Sequence, residues 1–255
     1  MKNSIRSTTM AVAFIWTVTA SLANPLAAAE MSGDDRALIT ELLGAGVVGA
    51  AVTVGPLSKK LDALREGTRT YKIVGGKNKG QTEPVVVTQL KRDSSGIAWR
   101  YAVGTKNVMF LRAGEDGSVS VISEQDIDEG VVVKYSPGET ILVPGLQPGG
   151  TKQSSVEVKV YDLSDPDELQ HSGRLALTYT YIGGYSVTVP AGTFDAALIK
   201  WTYKGKIGPA KVEDTQYRFL AEGAGVVASV DKKDVSAMLV YQDHSKTAKV
   251  LQAAP

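Results

Sequence analysis

From Thr68 onward, apolar and polar residues alternate with a period of two, the signature of strands with one buried and one wet face. In "IAWRYAV", Ile97, Trp99, Tyr101 and Val103 share one face, and Ala98, Arg100 and Ala102 share the other. "VEVKV" sets Val156, Val158 and Val160 against Glu157 and Lys159. "RLALTYTY" sets Leu175, Leu177, Tyr179 and Tyr181 against Arg174, Ala176, Thr178 and Thr180. Further strands are predicted at "TYKIV", "PVVVTQL", "NVMFLRA", "SVSVIS", "VVVKY", "TILV", "TQYRFLA", "GVVASV" and "SAMLVYQD". Turn-forming stretches separate them: "GGKNKG", "DSSG", "GEDGS", "SPGE", "PGLQPGG", "DLSDPDE" and "IGG". Many short strands without long helices between them predict a mainly β fold. The expected form is an antiparallel meander making a half-barrel or two related β halves, with a short N-terminal helical segment.

Before Thr68 the pattern differs. "DDRALITELL" places Leu38, Leu42 and Leu43 at helical spacing, with Asp34 or Asp35 as N-cap. Gly44 to Leu57 is apolar, Gly-rich and closed by Pro56; it reads as a buried or partner-facing segment, a membrane role being the lesser alternative. "LSKKLDALREG" predicts one or two helical turns stopped by Gly67. Both "LREGTRTY" and "LQPGGT" place a Leu three residues before a Gly that leads into a strand. That echo fits two related halves joined near Pro144 to Gly150, or equally a chance likeness between turns. The resulting division is residues 30–67, 68–145 and 146–255, after a leader over 1–29.

The leader rests on Lys2 and Arg6 without an acid, the apolar run Met10 to Ala20, and "NPLAAAE", with cleavage expected after Ala29. The apolar run is short of the roughly 20 residues that span a bilayer. The expected location is therefore the periplasm, with membrane association at most peripheral. The chain has no Cys, which excludes a lipid-anchored lipoprotein and any disulfide framework. Loss of the leader turns 28 basic and 27 acidic residues into 26 and 27, a net charge of −1. Such a balanced chain offers nucleic acid no electrostatic footing.

Between Val187 and Gly208, "VTVPAGTFDAALIKWTYKGKIG" reads as a turn at Pro190 to Gly192 between two strands, with Ile199, Trp201 and Tyr203 on one face. "VTVPAGTFDAALIK", followed by "YRFLAEGAGVVASV", resembles the C-terminal part of uncharacterised bacterial periplasmic β proteins of the DUF3108 type. The likeness covers about the last third of the chain. The family's aromatic-alanine-proline-glycine element is replaced here by Phe219 to Gly223, while Gly225, Val226 and Val227 keep its end. The resemblance implies fold and compartment but no catalytic residue. At the level of fold it is similar to the LolA-like half-barrels of lipid and lipoprotein carriers.

Reactive chemistry is sparse. "GAGVVG" satisfies G-x-G-x-x-G, but a helix precedes it and Pro56 follows, the reverse of a dinucleotide site; packing of small residues explains it. The two histidines, His171 and His244, lie in polar stretches, too few for a zinc site without Cys. No G-x-S-x-G elbow occurs, and the one S-x-x-K, Ser229 to Lys232, ends a predicted strand. "EQDIDEG" and "DLSDPDE" carry oxygen ligands suited to Ca²⁺ or to solvated turns, and neither matches the twelve-residue calcium loop. The expectation is thus a non-catalytic periplasmic binding protein without cofactor or metal. It carries or chaperones an apolar ligand, such as a lipid or lipoprotein acyl chain, against Trp99, Tyr101, Leu177, Tyr179 and Trp201. The alternative is a structural or interaction component of the cell envelope, docking a protein partner through Gly44 to Leu57.

Overall fold

The computed structural model describes residues 30–61, 64–91, 94, 96–237 and 241–253, so the expected leader lies outside the described residues. Helix α1 runs Gly33–Leu43. Its N-cap is Ser32, whose hydroxyl accepts the Asp35 N–H at 3.1 Å, in place of the expected Asp34 or Asp35. Gly44, at φ 98°, ends the helix in a conformation a side chain resists. The segment after it forms the short strand β1 (Val48–Val52) and then a single 3₁₀ turn at Lys59–Leu61.

The remaining strands are β2 (Gly67–Gly76), β3 (Thr82–Gln89), β4 (Trp99–Val103), β5 (Asn107–Ala113), β6 (Val119–Asp126) and β7 (Val131–Leu142). They continue as β8 (Thr151–Asp162), β9 (Leu169–Val189), β10 (Gly192–Ile207), β11 (Ala210–Ala221), β12 (Gly225–Ala237) and β13 (Tyr241–Ala253). Each pairs antiparallel with its sequence neighbour from β2 to β13, and β13 pairs back onto β2. Because β8 also pairs with β9, twelve strands close into a barrel, with β1 added beside β9. The expected half-barrel is therefore corrected to a closed ring, which leaves the ladders of those twelve strands no open edge.

Two elements were expected to be shorter. "SPGE" and "IGG" are not turns: β7 and β9 run through them as irregular, extended chain. In β9, Tyr181 pairs with Ile199 and Gly183 with Leu198, so Ile182 is the extra residue of a bulge. The 21-residue strand that results pairs with β10 on one edge. Its other edge takes β8 over residues 169–180 and β1 over residues 184–187. Gly184 permits the second contact, since a Cβ there would lie 2.4 Å from the Val52 carbonyl oxygen.

Tyr203 of β10 reaches Glu139 of β7 and Tyr179 of β9 reaches the Ile141 carbonyl, contacts that cross the barrel and so define its inner face. Alternation then sends Lys200, Tyr217, Phe219 and Ala248 outward, where α1 covers β12, β13 and β2 with Ile39, Leu42 and Leu43. The middle of β10 is buried from both sides: Ala196, Ala197, Leu198 and Ile199 are each fully inaccessible. This is why "AALI" reads as an unbroken apolar run within an otherwise alternating chain.

One buried ionic contact fastens the helix. The Asp35 carboxylate accepts hydrogen bonds from Lys200 Nζ at 2.7 Å and Tyr217 Oη at 2.6 Å. Burial works to raise this carboxyl, but the bonds from Lys200 and Tyr217 prevail and hold it below its ordinary value. Elsewhere the outer wall bears Glu157, Lys159, Arg174, Lys204 and Glu213, and Arg174 bonds Glu157 at 2.9 Å. Transmembrane barrels instead turn an apolar band outward and polar residues inward.

Candidate functional site

The barrel interior divides into an apolar end and a polar belt. At the apolar end, Leu111, Val121, Val158, Leu177, Ile199 and Trp201 form one buried cluster, closed by Leu57 and Leu61 from the segment before β2. The five residues expected to meet a ligand all occupy the inner face. Leu177, Tyr179 and Trp201 belong to this cluster, with Tyr179 opposite Trp201 in register and their rings edge-to-face at 5.0 Å. Trp99 and Tyr101, on β4, pack against both hydrophobic clusters but keep part of their surface open. Met109, Tyr135 and Glu139 also face inward and stay partly accessible. A barrel of about eight strands is just filled by its own side chains, and each added strand widens it.

The polar belt lies across β6, β7, β10, β11 and β12. Glu139 accepts from Tyr203 Oη at 2.5 Å, and Glu124 accepts from Tyr135 Oη at 3.2 Å and from Asn107 Nδ2. On β11, Gln216 donates to Asp214 Oδ2 at 2.8 Å and accepts from Arg218 at 2.9 Å. Arg218 also bonds Asp231 at 2.7 Å and lies 5.9 Å from the Trp201 ring centre. Two buried polar atoms have no hydrogen-bond partner among the described residues: Trp201 Nε1 and Asp214 Oδ1. Leaving such an atom unpaired costs about 1–3 kcal/mol.

Electrostatics follow from this crowding. Burial, with Glu124 and Asp214 nearby, pushes the Glu139 carboxyl up to about 7 against the opposing Tyr203 bond. Burial likewise raises Asp214, helped by Asp231. For Arg218, burial disfavours the charge, but Asp231 outweighs it and the guanidinium is held firmly protonated. The belt is thus rich in carboxylates, with Arg218 committed to Asp231 and Lys233 opposite Asp214 in register.

Sequence pattern alone does not reveal this belt. In "TQYRFLA", Gln216 and Arg218 alternate with Tyr217 and Phe219, which reads as a wet face and a dry face. Here the supposedly wet face is the lumen, and α1 covers part of the other. The one available signal is an inward-phased run of polar residues opposite the aromatic strand Trp201–Tyr203.

Other candidates stay apart. His244 bonds Asp234 at 2.8 Å on the exposed wall, and His171 is exposed on β9. Ser229 pairs in register with Arg218 on the inner face, whereas Lys232, an odd number of residues on, faces outward. Asp162 accepts from the Ser164 N–H and hydroxyl, closing an ordinary turn. No group of three metal-ligating side chains converges among the described residues. A shallow hollow of about 360 Å³ on the outer wall, lined by Ser136, Pro137, Ser155, Glu157 and Arg174, has no aromatic component and no link to the belt.

Residues 180–238 match the DUF3108-like family. No curated protein matches the chain. A solved protein from Bacteroides fragilis, described as exported and of YmcC-like fold, aligns over 79% of this chain and all of its own, at 13% identity and a TM-score of 0.44. The hypothetical lipoprotein YmcC from Escherichia coli aligns over 76% of this chain and 89% of its own, at 10% identity and a TM-score of 0.42. A protein from Parabacteroides distasonis described as a lipoprotein aligns over 80% of this chain and all of its own, at 14% identity and a TM-score of 0.40.

Proposed function

We propose that the chain is an exported, non-catalytic binding protein that holds an amphipathic ligand, such as a lipid or a lipoprotein acyl chain, inside its barrel. The observation that carries this reading is the partial accessibility of inward-facing Trp99, Tyr101, Met109 and Tyr135 inside a closed ring of twelve strands. Aromatic and aliphatic side chains lead from Trp99 and Tyr101 to Leu177, Tyr179 and Trp201, and a partly accessible polar belt adjoins them. Burying a methylene is worth about 0.8 kcal/mol, so a chain of ten carbons gains enough for micromolar retention before ordering costs. Export is supported by the leader pattern at Lys2 to Ala29. The non-catalytic reading is supported by the separation of His171, His244 and the Ser229–Lys232 pair described above.

Organic-solvent extraction of the purified protein, followed by mass spectrometry, tests the proposal. The expected result is a co-purifying acyl or alkyl compound in near-stoichiometric amount, or micromolar binding of a fluorescent fatty-chain probe to the stripped protein. A protein that emerges empty and binds no such probe refutes it.

A second reading draws on β1, which pairs with β9 on one side only and holds exposed Gly49, Ala50 and Ala51. Its other edge supports docking of an envelope protein by strand addition. Loss of a pulled-down partner on deletion of residues 44–57 is the result expected from that reading.

A further inference from the structure

The polar belt is more specific than a carrier of plain hydrocarbon needs. We infer that it takes the head of an amphipathic amine bearing a neighbouring oxygen, the alkyl tail lying along the partly accessible Trp99, Tyr101 and Met109; this rests on the carrier reading above.

Three observations lead there. The first is charge. Glu124, Glu139, Asp214 and Asp231 face the lumen, while Arg218 is committed to Asp231 at 2.7 Å. Other inward cations are also engaged: Lys249 bonds Glu83, Arg69 donates to the carbonyls of Ala224 and Arg65, both at 3.3 Å, and Lys233 stands opposite Asp214 in register, which leaves the inward carboxylates in the majority. A carboxylate head would enter against this excess, and an ammonium would relieve it.

The second is the pair of orphan atoms. Trp201 is 5% exposed and its Nε1–H, a donor only, has no acceptor. Asp214 Oδ1, an acceptor only when ionised, has no donor. In register Trp201 opposes Gln216 and Tyr203 opposes Asp214, so the two orphans sit on adjacent strands one pleat apart on the inner face. They call for a ligand head that donates and accepts at neighbouring atoms, which an ammonium beside a hydroxyl does and a plain amine or carboxylate does not.

The third is the aromatic surround. Trp201, Tyr203, Tyr179, Tyr135 and Tyr101 all face this region, and ring faces attract a cation by about 0.5–2 kcal/mol. Aromatic residues beside carboxylates select for positive charge over a neutral polar group.

The test is displacement of a neutral, apolar fluorescent probe from the stripped, full-length protein at pH 8. The competitors share one twelve-carbon chain: 2-amino-1-dodecanol, dodecylamine, dodecanol and dodecanoate, each below its micelle concentration. The expected result is that the amino alcohol displaces the probe at a concentration about tenfold or more below that of dodecanol, with dodecanoate weakest. The paired variant Glu139→Gln with Asp214→Asn is expected to erase the preference for amines and leave dodecanol unchanged. If dodecanol or dodecanoate competes as well as the amines on the wild-type protein, the inference fails while the carrier reading survives. If neither the probe nor any competitor binds, the carrier reading itself fails. The wild-type arm decides between these outcomes whether or not the variant folds.

Discussion

Glu139 shows how much one residue's role depends on where the chain takes it. In sequence it is the last residue of "SPGE", a plausible exposed turn. In the barrel it faces the lumen, opposite Val121, with Tyr203 donating to it from across the interior. Its carboxyl, ordinarily at 4.5, is pushed up to about 7 by burial and by Glu124 and Asp214. The folded state therefore binds more protons than the unfolded chain between these values, and stability falls as pH rises through that window. Glu139→Gln removes the titration. Chemical denaturation at pH 5 and pH 8 is expected to show the wild type losing roughly 1–3 kcal/mol more than the variant over that interval. Equal losses would show that Glu139 carries no such strain. The apolar residues are easier to read, because Trp99, Tyr101, Leu177, Tyr179 and Trp201 all alternate with polar or small neighbours, and that phase alone assigns them to the apolar face. Glu139, Asp214 and Arg218 were not legible, since a polar residue in strand phase signals water whether that water is bulk solvent or a lumen.

At the scale of elements, the helix and most strands follow from local pattern, and the departures have specific causes. The expected helix over residues 34–43 forms as Gly33–Leu43 with Ser32 as its cap, and the Asp35 carboxylate is taken instead by Lys200 and Tyr217, more than 160 residues away in sequence. That clamp predicts a pH response of opposite sign to that of Glu139. A carboxyl held below its ordinary value stabilises the fold fully above about pH 5 and loses that contribution as pH falls through the depressed value. Asp35→Ala is expected to weaken docking of α1 by about 1–3 kcal/mol at pH 7. Hydrogen exchange should then quicken in Arg36 to Leu43 while β5 and β6 stay unchanged. Uniform acceleration, or none, would contradict the clamp. β9 was cut short in the sequence reading because Gly183 and Gly184 look like a turn. They stay extended because Ile182 bulges and Gly184 leaves room for Val52, neither of which local propensity encodes.

At the scale of the molecule, strands β2 to β13 form one ring. The sequence division at residues 145–150 falls at the link between β7 and β8, and the sheet continues across it through the pairing of those strands. Trp99 and Tyr101 pack against both hydrophobic clusters, as do Leu64 and Val226. A ring joined this way is expected to unfold in a single cooperative transition, with tryptophan fluorescence and far-ultraviolet circular dichroism superimposable, and to fold slowly because its β13–β2 contacts span most of the chain. Two resolved transitions would instead mark two independent β halves. The amino-acid sequence by itself determined the β class, the positions of most strands and turns, and the apolar face of each, because a period of two is a local property of the backbone. Closure was decided only by tertiary structure: whether β13 meets β2 depends on strand length, bulges and twist accumulated around the barrel. Closure in turn decided which polar residues face a lumen and which face solvent, and that distinction separates a chain of half-greasy strands from a barrel with an acidic, aromatic interior.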